Sequence, residues 1–206
     1  MDLEVIIPVG PGHEELYKRA ANSVAIAHRY SQRFDNVKCR IIDDSLGEKG
    51  RSYARNQGVK SARSEWVFFL DADDEMYPSA IVNAWEYLNH DAVFGQIIER
   101  SGQWGEIPRT QIPEIKTFEA FKSYPPTMTV QMGHFVRTEV ARKYPFSEEM
   151  NTGEDYDYYL RLWKNQDCIK INKPLMINIR GEHSQGPKSA NGREWSETVS
   201  RLINEA

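Results

Sequence analysis

Cysteine is nearly absent. The 206 residues hold two, Cys39 and Cys168, too few and too far apart for a disulfide framework or a thiolate metal cluster. A reducing, cytoplasmic setting is the expectation that follows. Long apolar runs are missing too. The longest, Trp66-Val67-Phe68-Phe69-Leu70, falls far short of the roughly 20 residues that span a bilayer. The opening Met1-Asp2-Leu3-Glu4 carries acids where a secretory signal carries bases. Cations are not in excess: 26 Lys and Arg stand against 30 Asp and Glu, which argues against broad binding to nucleic acid. No internal repeat or low-complexity tract interrupts the chain. What is present is a folded composition, 40% hydrophobic and 27% charged, at a length suited to one domain with its own core.

The apolar pattern alternates between two periods. Leu3 to Val9 reads as a buried strand ended by Gly10-Pro11-Gly12, which cannot continue a ladder. From His13 to about Tyr30, Leu16, Ala20, Val24, Ala27 and Tyr30 recur at helical spacing. Val37 to Ile42 is a second strand, followed by a helix over Ser52 to Ala62. Trp66 to Leu70 is a third strand. Pro78 suits the first turn of a helix whose apolar face is Ile81, Val82, Trp85 and Leu88. Ala92 to Ile98 is a fourth strand. Such alternation predicts a mostly parallel α/β sheet. Residues 99 to 130 read as irregular, and Val130 to Val136 as a further strand. Gly153 to Trp163 is a helix with Tyr156, Tyr159, Leu160 and Trp163 on one stripe. Ile169 to Ile179 holds a strand or two, and Glu194 to Asn204 a closing helix.

Acids gather where two of these strands end. Asp43-Asp44 follows the second, and Asp71-Ala72-Asp73-Asp74 the third. Ligands of open parallel sheets bind beyond the carboxyl ends of strands. Hard divalent cations prefer carboxylate oxygens and leave positions open for phosphate. The cluster therefore reads as a metal site for a diphosphate, or as a solvated turn whose acids start the next helix. A calcium-binding EF-hand loop needs Gly at its sixth position, where Met76 stands. A phosphoaspartyl hydrolase wants Thr or Val four residues after its nucleophile, where Glu75 stands.

Five stretches in order resemble the family 2 glycosyltransferases: Ile6-Ile7-Pro8-Val9, Ile41-Ile42-Asp43-Asp44-Ser45, Ala54-Arg55-Asn56-Gln57-Gly58, Phe69-Leu70-Asp71-Ala72-Asp73-Asp74 and Gly153-Glu154-Asp155-Tyr156-Asp157. The resemblance runs over about residues 3 to 185. It implies the GT-A fold, a Rossmann-like, mostly parallel sheet flanked by helices in a single domain. Residues 1–98 would be the nucleotide-sugar half, 99–185 the acceptor and catalytic half, and 186–206 a helical tail. It implies an inverting transferase that uses a nucleotide-sugar donor, most often a UDP-sugar, with Mn²⁺ or Mg²⁺. Pro8 and Val9 would line the base pocket, and Asp44 would accept a hydrogen bond from the base. Arg55 would orient the aspartates. Asp71 would face the ribose, and Asp73, with Asp71, would hold the metal against the diphosphate. Asp155, beside Glu154, would be the general base. Arg180-Gly181-Glu182-His183 resembles an Arg-x-x-His stretch of the family, which would bring His183 to the metal and Arg180 toward the acceptor.

Val9-Gly10-Pro11-Gly12 and Ser45-Leu46-Gly47-Glu48 depart from the family's usual letters, both at the nucleotide pocket. Trp104 lies in a loop where an aromatic ring can cover a sugar. Lys49 and Arg51 flank Gly50, within reach of phosphate or of solvent alone. Tyr156, Tyr159 and Trp163 read as core. So does His134, while His28 and His90 read as solvated and Cys39 as buried. The acceptor would be a hydroxyl on a glycan, a lipid-linked glycan or a small molecule, with a modified DNA base left open but unsupported. Two alternatives remain on the same fold: a nucleotidyltransferase and a non-catalytic nucleotide-sugar-binding protein.

Overall fold

The computed structural model describes residues 1–102, 105–109, 114–126, 132–179 and 192–206. Strand β1 (Asp2–Val9) is buried along nearly its whole length, which explains why it is apolar from Leu3 on except at Glu4. It is flanked in parallel by β2 (Asn36–Asp43) and β3 (Trp66–Phe69). The helices between them lie on opposite faces. Ala20, Val24 and Ala27 of α1 (Tyr17–Ser31) pack on Leu3, Val5, Ile7 and Val9. Val59 of α2 (Arg51–Ser61) packs with Ile6 and Phe69 on the other side. Gly58 sits against β1 so closely that a Cβ there would stand 2.4 Å from Ile6 Cγ2.

The remaining strands are β4 (Glu75–Met76), β5 (Ala92–Ser101), β6 (Gly105–Pro108), β7 (Phe135–Arg137) and β8 (Cys168–Ile179). Further helices among the described residues are α3 (Ala80–Trp85), α4 (Phe118–Ser123), α5 (Thr138–Lys143), α6 (Glu154–Asn165) and α7 (Gly192–Glu205). The sheet runs β2-β1-β3-β7-β5-β8-β4, with β6 paired to β5. Parallel pairing holds for β1 with both neighbours and for β5 with β8. The sheet as a whole is mixed, because β7 inserts antiparallel between β3 and β5 and because β4 and β6 add antiparallel pairs. Periodicity marks a strand but not its neighbour, so this insertion is invisible to pattern alone.

Other departures have local causes. The first helix begins at Tyr17 rather than His13. Residues 10–16 fold as consecutive turns, with His13 N–H donating to the Gly10 carbonyl at 3.1 Å and Leu16 N–H to the His13 carbonyl at 3.1 Å. The stretch read as irregular contains the β5–β6 hairpin and α4, whose N-cap Thr117 accepts from Ala120 N–H at 3.2 Å. The strand read from Val130 is confined to β7, and residues 127–131 lie outside the described residues. Cys39 is exposed, because β2 is an edge strand.

Order β2-β1-β3 with α1 and α2 on opposite faces makes the carboxyl ends of β1 and β3 a topological switch point, where the chain parts and leaves a crevice. Pro8-Val9 and Leu70-Asp71 end on it. Behind β3 and β7, α6 contributes a buried aromatic layer of Tyr156, Tyr158, Tyr159 and Trp163 against Phe94, Phe121 and Phe146.

Candidate active site

Leu70 N–H donates to the Ile6 carbonyl at 3.0 Å, the last rung between β1 and β3. The chain then turns, Asp74 N–H closing on the Asp71 carbonyl at 3.1 Å. The acids of this turn differ in surroundings. Asp71 and Asp73 are partly buried. The Asp73 carbonyl accepts from Arg19 Nη2 at 2.7 Å, and Arg19 Nε lies 3.3 Å from Glu75, so α1 holds the turn from below. Asp74 is buried and accepts from Asn178 Nδ2 at 3.0 Å and from Ile179 N–H at 2.9 Å. Burial and its two neighbouring aspartates raise its pKa well above the ordinary value. Asp74 thus ties the end of β8 to the acidic turn, a role the letters did not distinguish from those of Asp71 and Asp73.

Helix α2 connects this turn to α6. Arg55 is buried; its Nη2 reaches Asp71 Oδ1 at 2.6 Å and its Nη1 reaches Glu154 Oε1 at 3.4 Å. Its guanidinium also lies over the Phe146 ring, 5.3 Å from the centroid. Despite desolvation, the two carboxylates raise its already high pKa and keep it charged. Arg51, one turn earlier on α2, grips Glu154 with two nitrogens, at 2.5 and 2.8 Å. The expectation of a phosphate contact for Arg51 thus meets a residue engaged with Glu154. Spacing of four within one helix was the available signal, since it places both arginines on one face. Asn56 adds three bonds to the loop before α6: from Nδ2 to the Phe146 carbonyl (2.9 Å) and to Glu148 (2.7 Å), and from Phe146 N–H to Oδ1 (2.9 Å). The Arg55-Asn56 pair is therefore the joint between the two halves of the site.

Glu154 and Asp155 open α6 after Gly153, which adopts a left-handed φ of 77°. Their environments diverge. Glu154 is buried between two arginines. Asp155 is partly buried, accepts Tyr156 N–H at 2.8 Å, and makes no ion pair among the described residues. Burial, with the negative charge of Glu154 next, pushes its pKa up to about 6, against the opposing pull of Arg55 and Arg51. A carboxylate so placed can take a proton near neutral pH.

On the nucleotide side, Pro8 and Val9 are buried at the end of β1. Asp44 N–H donates to the Val9 carbonyl at 2.8 Å. The Asp44 carboxylate accepts the backbone N–H groups of Glu48 and Lys49 at 3.1 Å each and of Gly50 at 2.6 Å. Asp44 is thus engaged by its own loop, which it shapes ahead of α2. Trp104, Arg180 and His183 lie outside the described residues. His134 is fully buried, stacked on Phe94 at 4.4 Å, with Nε2 3.3 Å from the Tyr158 hydroxyl; burial pulls its pKa down to about 3, which keeps it neutral. No group of three His, Cys, Asp or Glu among the described residues is arranged to hold a metal ion. No helix among them is long and apolar enough to cross a membrane.

Residues 20–143 match the family model described as glycosyl transferase family 2. The chain belongs to that family. Over 139 residues it is 26% identical to the uncharacterized glycosyltransferase MJ1057 of Methanocaldococcus jannaschii, covering 64% of this chain and 47% of that protein. Among solved structures, S. aureus TarS 1–349 in complex with UDP-GlcNAc superposes with a TM-score of 0.68 at 16% identity, covering 100% of this chain and 67% of that one. Its complex with UDP gives 0.67 at 18% identity, covering 98% and 64%. These likenesses establish the α/β fold of the GT-A glycosyltransferases. This chain spans about half the length of the curated relative and about two thirds of the TarS chain.

Proposed function

We propose that this family 2 member transfers a sugar from a nucleoside diphosphate donor, with a UDP-sugar the first candidate, to an acceptor hydroxyl by single, inverting displacement. The observation that carries the reading is the division between Glu154 and Asp155. One acid is locked between arginines, and the other makes no ion pair among the described residues, with its pKa pushed up to about 6. The donor preference rests on the UDP and UDP-GlcNAc held by the TarS structures.

In the step proposed, the acceptor oxygen forms a bond to the anomeric carbon as that carbon's bond to the diphosphate oxygen breaks. The electron pair leaves with the diphosphate, and the acceptor proton passes to Asp155. General base help of this kind is worth about 10²–10⁴ in rate, or roughly 3–5 kcal/mol. Arg55 holds Asp71 and Glu154 at once, so the donor-side turn and the base-bearing helix are fixed relative to each other before substrate arrives. Asp73 and Asp71 suit a hard cation that arrives with a diphosphate, which needs only one or two protein carboxylates; they do not form a resident cage. Mn²⁺ or Mg²⁺ held there by Asp73 and Asp71 would supply the positive charge that a departing diphosphate needs.

Calorimetry of UDP binding tests the donor side. Wild-type protein should bind UDP at least about tenfold more tightly with Mn²⁺ than with chelator, a difference of ~1.4 kcal/mol. Asp73→Ala should bind equally in both. Indifference of the wild type to Mn²⁺ removes the metal from the mechanism, and absence of UDP binding under either condition removes the proposed donor.

A further inference from the structure

Tyr159 carries an unexplained polar atom. The residue is 1% exposed, and its hydroxyl has no hydrogen-bond partner among the described residues. Its ring is well housed. Phe94 meets it edge-on at 5.6 Å, with Tyr158 at 5.6 Å and His134 at 5.8 Å. A phenylalanine would fill that space without stranding an oxygen, and a stranded buried hydroxyl costs stability. Neighbouring Tyr158 differs, its hydroxyl lying within hydrogen-bond distance of His134.

The surroundings of the hydroxyl are those of the site. After burial, the charge that acts on it most is Asp155, followed by Arg55 and Asp71, with Tyr158 beyond them. Asp155 lies four residues earlier on α6 and so on the same face, and helical aromatic side chains lean toward the preceding turn. The Asp155 carboxylate is bonded to Tyr156 N–H through Oδ1, and no described side chain donates to it. The other charged and titratable groups about this pair are Glu154 on α6, Arg51 and Arg55 on α2, Asp71 after β3 and Tyr158.

We infer that Tyr159 is a positioning residue for Asp155: its phenol donates to the Asp155 carboxylate when the site is loaded, fixing the orientation in which that carboxylate receives the acceptor proton. This deepens the proposed function and rests on Asp155 as its base. The hydroxyl, which has no partner among the described residues, gains one in the loaded site, a cost in stability kept for function.

Tyr159→Phe removes the oxygen alone. The probe is release of UDP from UDP-GlcNAc with Mn²⁺, followed beside thermal unfolding. The expected result is a melting temperature equal to or above wild type, a roughly tenfold lower kcat, the effect of losing one hydrogen bond to a charged group, and KM for UDP-GlcNAc little changed. The acid limb of the rate profile should move to higher pH, because the ionised carboxylate has lost a donor. Adding Tyr159→Phe to Asp155→Asn should slow release no further. Wild-type kcat in Tyr159→Phe overturns the inference, as does a fall in melting temperature, which would show the hydroxyl already bonded for structure. Where Asp155→Asn is impaired and Tyr159→Phe is not, only this inference fails. Where Asp155→Asn itself releases UDP normally, the assignment of the base fails.

Discussion

Replacing Asp155 with Asn should strengthen the fold while disabling turnover. The acid is lifted from its ordinary 3.8 to about 6, chiefly by burial. An acid whose pKa rises on folding opposes the native state once it is ionised. The opposition is absent below about pH 4, grows through the interval to about pH 6, and is constant above it. At 1.36 kcal/mol for each pKa unit the full cost is about 3 kcal/mol, and solvent around a partly buried side chain trims it to about 1–3 kcal/mol. Asn keeps the shape and sheds the charge. At pH 7.5 the variant should therefore melt roughly 2–12 °C above wild type, given 2–4 °C per kcal/mol in a chain of this size, while at pH 4 the two should coincide. In the UDP-release assay the same variant should lose about 10²–10⁴ in kcat with UDP affinity little changed. A melting temperature that falls at pH 7.5, or a gain of equal size at pH 4, would refute the electrostatic account of this carboxylate. Near-normal turnover would move the base elsewhere.

Glu154→Gln should do the opposite to stability. It breaks the contacts to Arg51 and Arg55, leaving a buried guanidinium short of a counter-charge at a cost of about 3 kcal/mol, so the melting temperature should drop by roughly 6–12 °C. The acid limb of the rate profile should move to lower pH as Asp155 loses its like-charged neighbour; an unchanged melt would show the clamp to be idle. Gly58→Ala places a Cβ 2.4 Å from Ile6 Cγ2, an overpacking cost of about 1–3 kcal/mol set against a helix-propensity gain of up to about 1 kcal/mol. Calorimetric unfolding should show a net loss, and a more stable variant would mean that α2 shifts freely on β1.

The parts of the site that could be read from letters are those set by short-range pattern. Leu3–Val9, apolar but for Glu4, and the wholly apolar Trp66–Leu70 read as they do because both faces of those strands are covered, and the end of the second announces where Asp71 and Asp73 stand. The Arg55-Asn56 pair could be placed on a helix, but not its partners. Asp71, Glu154 and Phe146 lie 16 to 99 residues away, and only folding brings them together. The loop contacts of Asp44 were hidden for a related reason. A carboxylate after a strand can turn outward to a ligand or back to its own chain, and the turn at Gly47 and Gly50, both left-handed, brings three backbone donors to it. Glu154 and Asp155 are adjacent acids in one first turn. Which one meets the arginines follows from the 100° between successive helical residues and from where α2 lies, and only the second needs the structure.

The position of β7 bears on how this molecule can be divided. It hydrogen-bonds to β3 on one side and β5 on the other, yet it arrives from well beyond the end of β5 in the chain. A fragment cut at that point would leave Phe68 and Val93 facing an unfilled slot in mid-sheet, with raw strand edges open to other chains. The portion that carries the acidic turn is thus no autonomous module. Recombining it with a foreign acceptor-binding half would require the graft to supply a three-residue antiparallel stave of its own, or the chimera would be prone to aggregate.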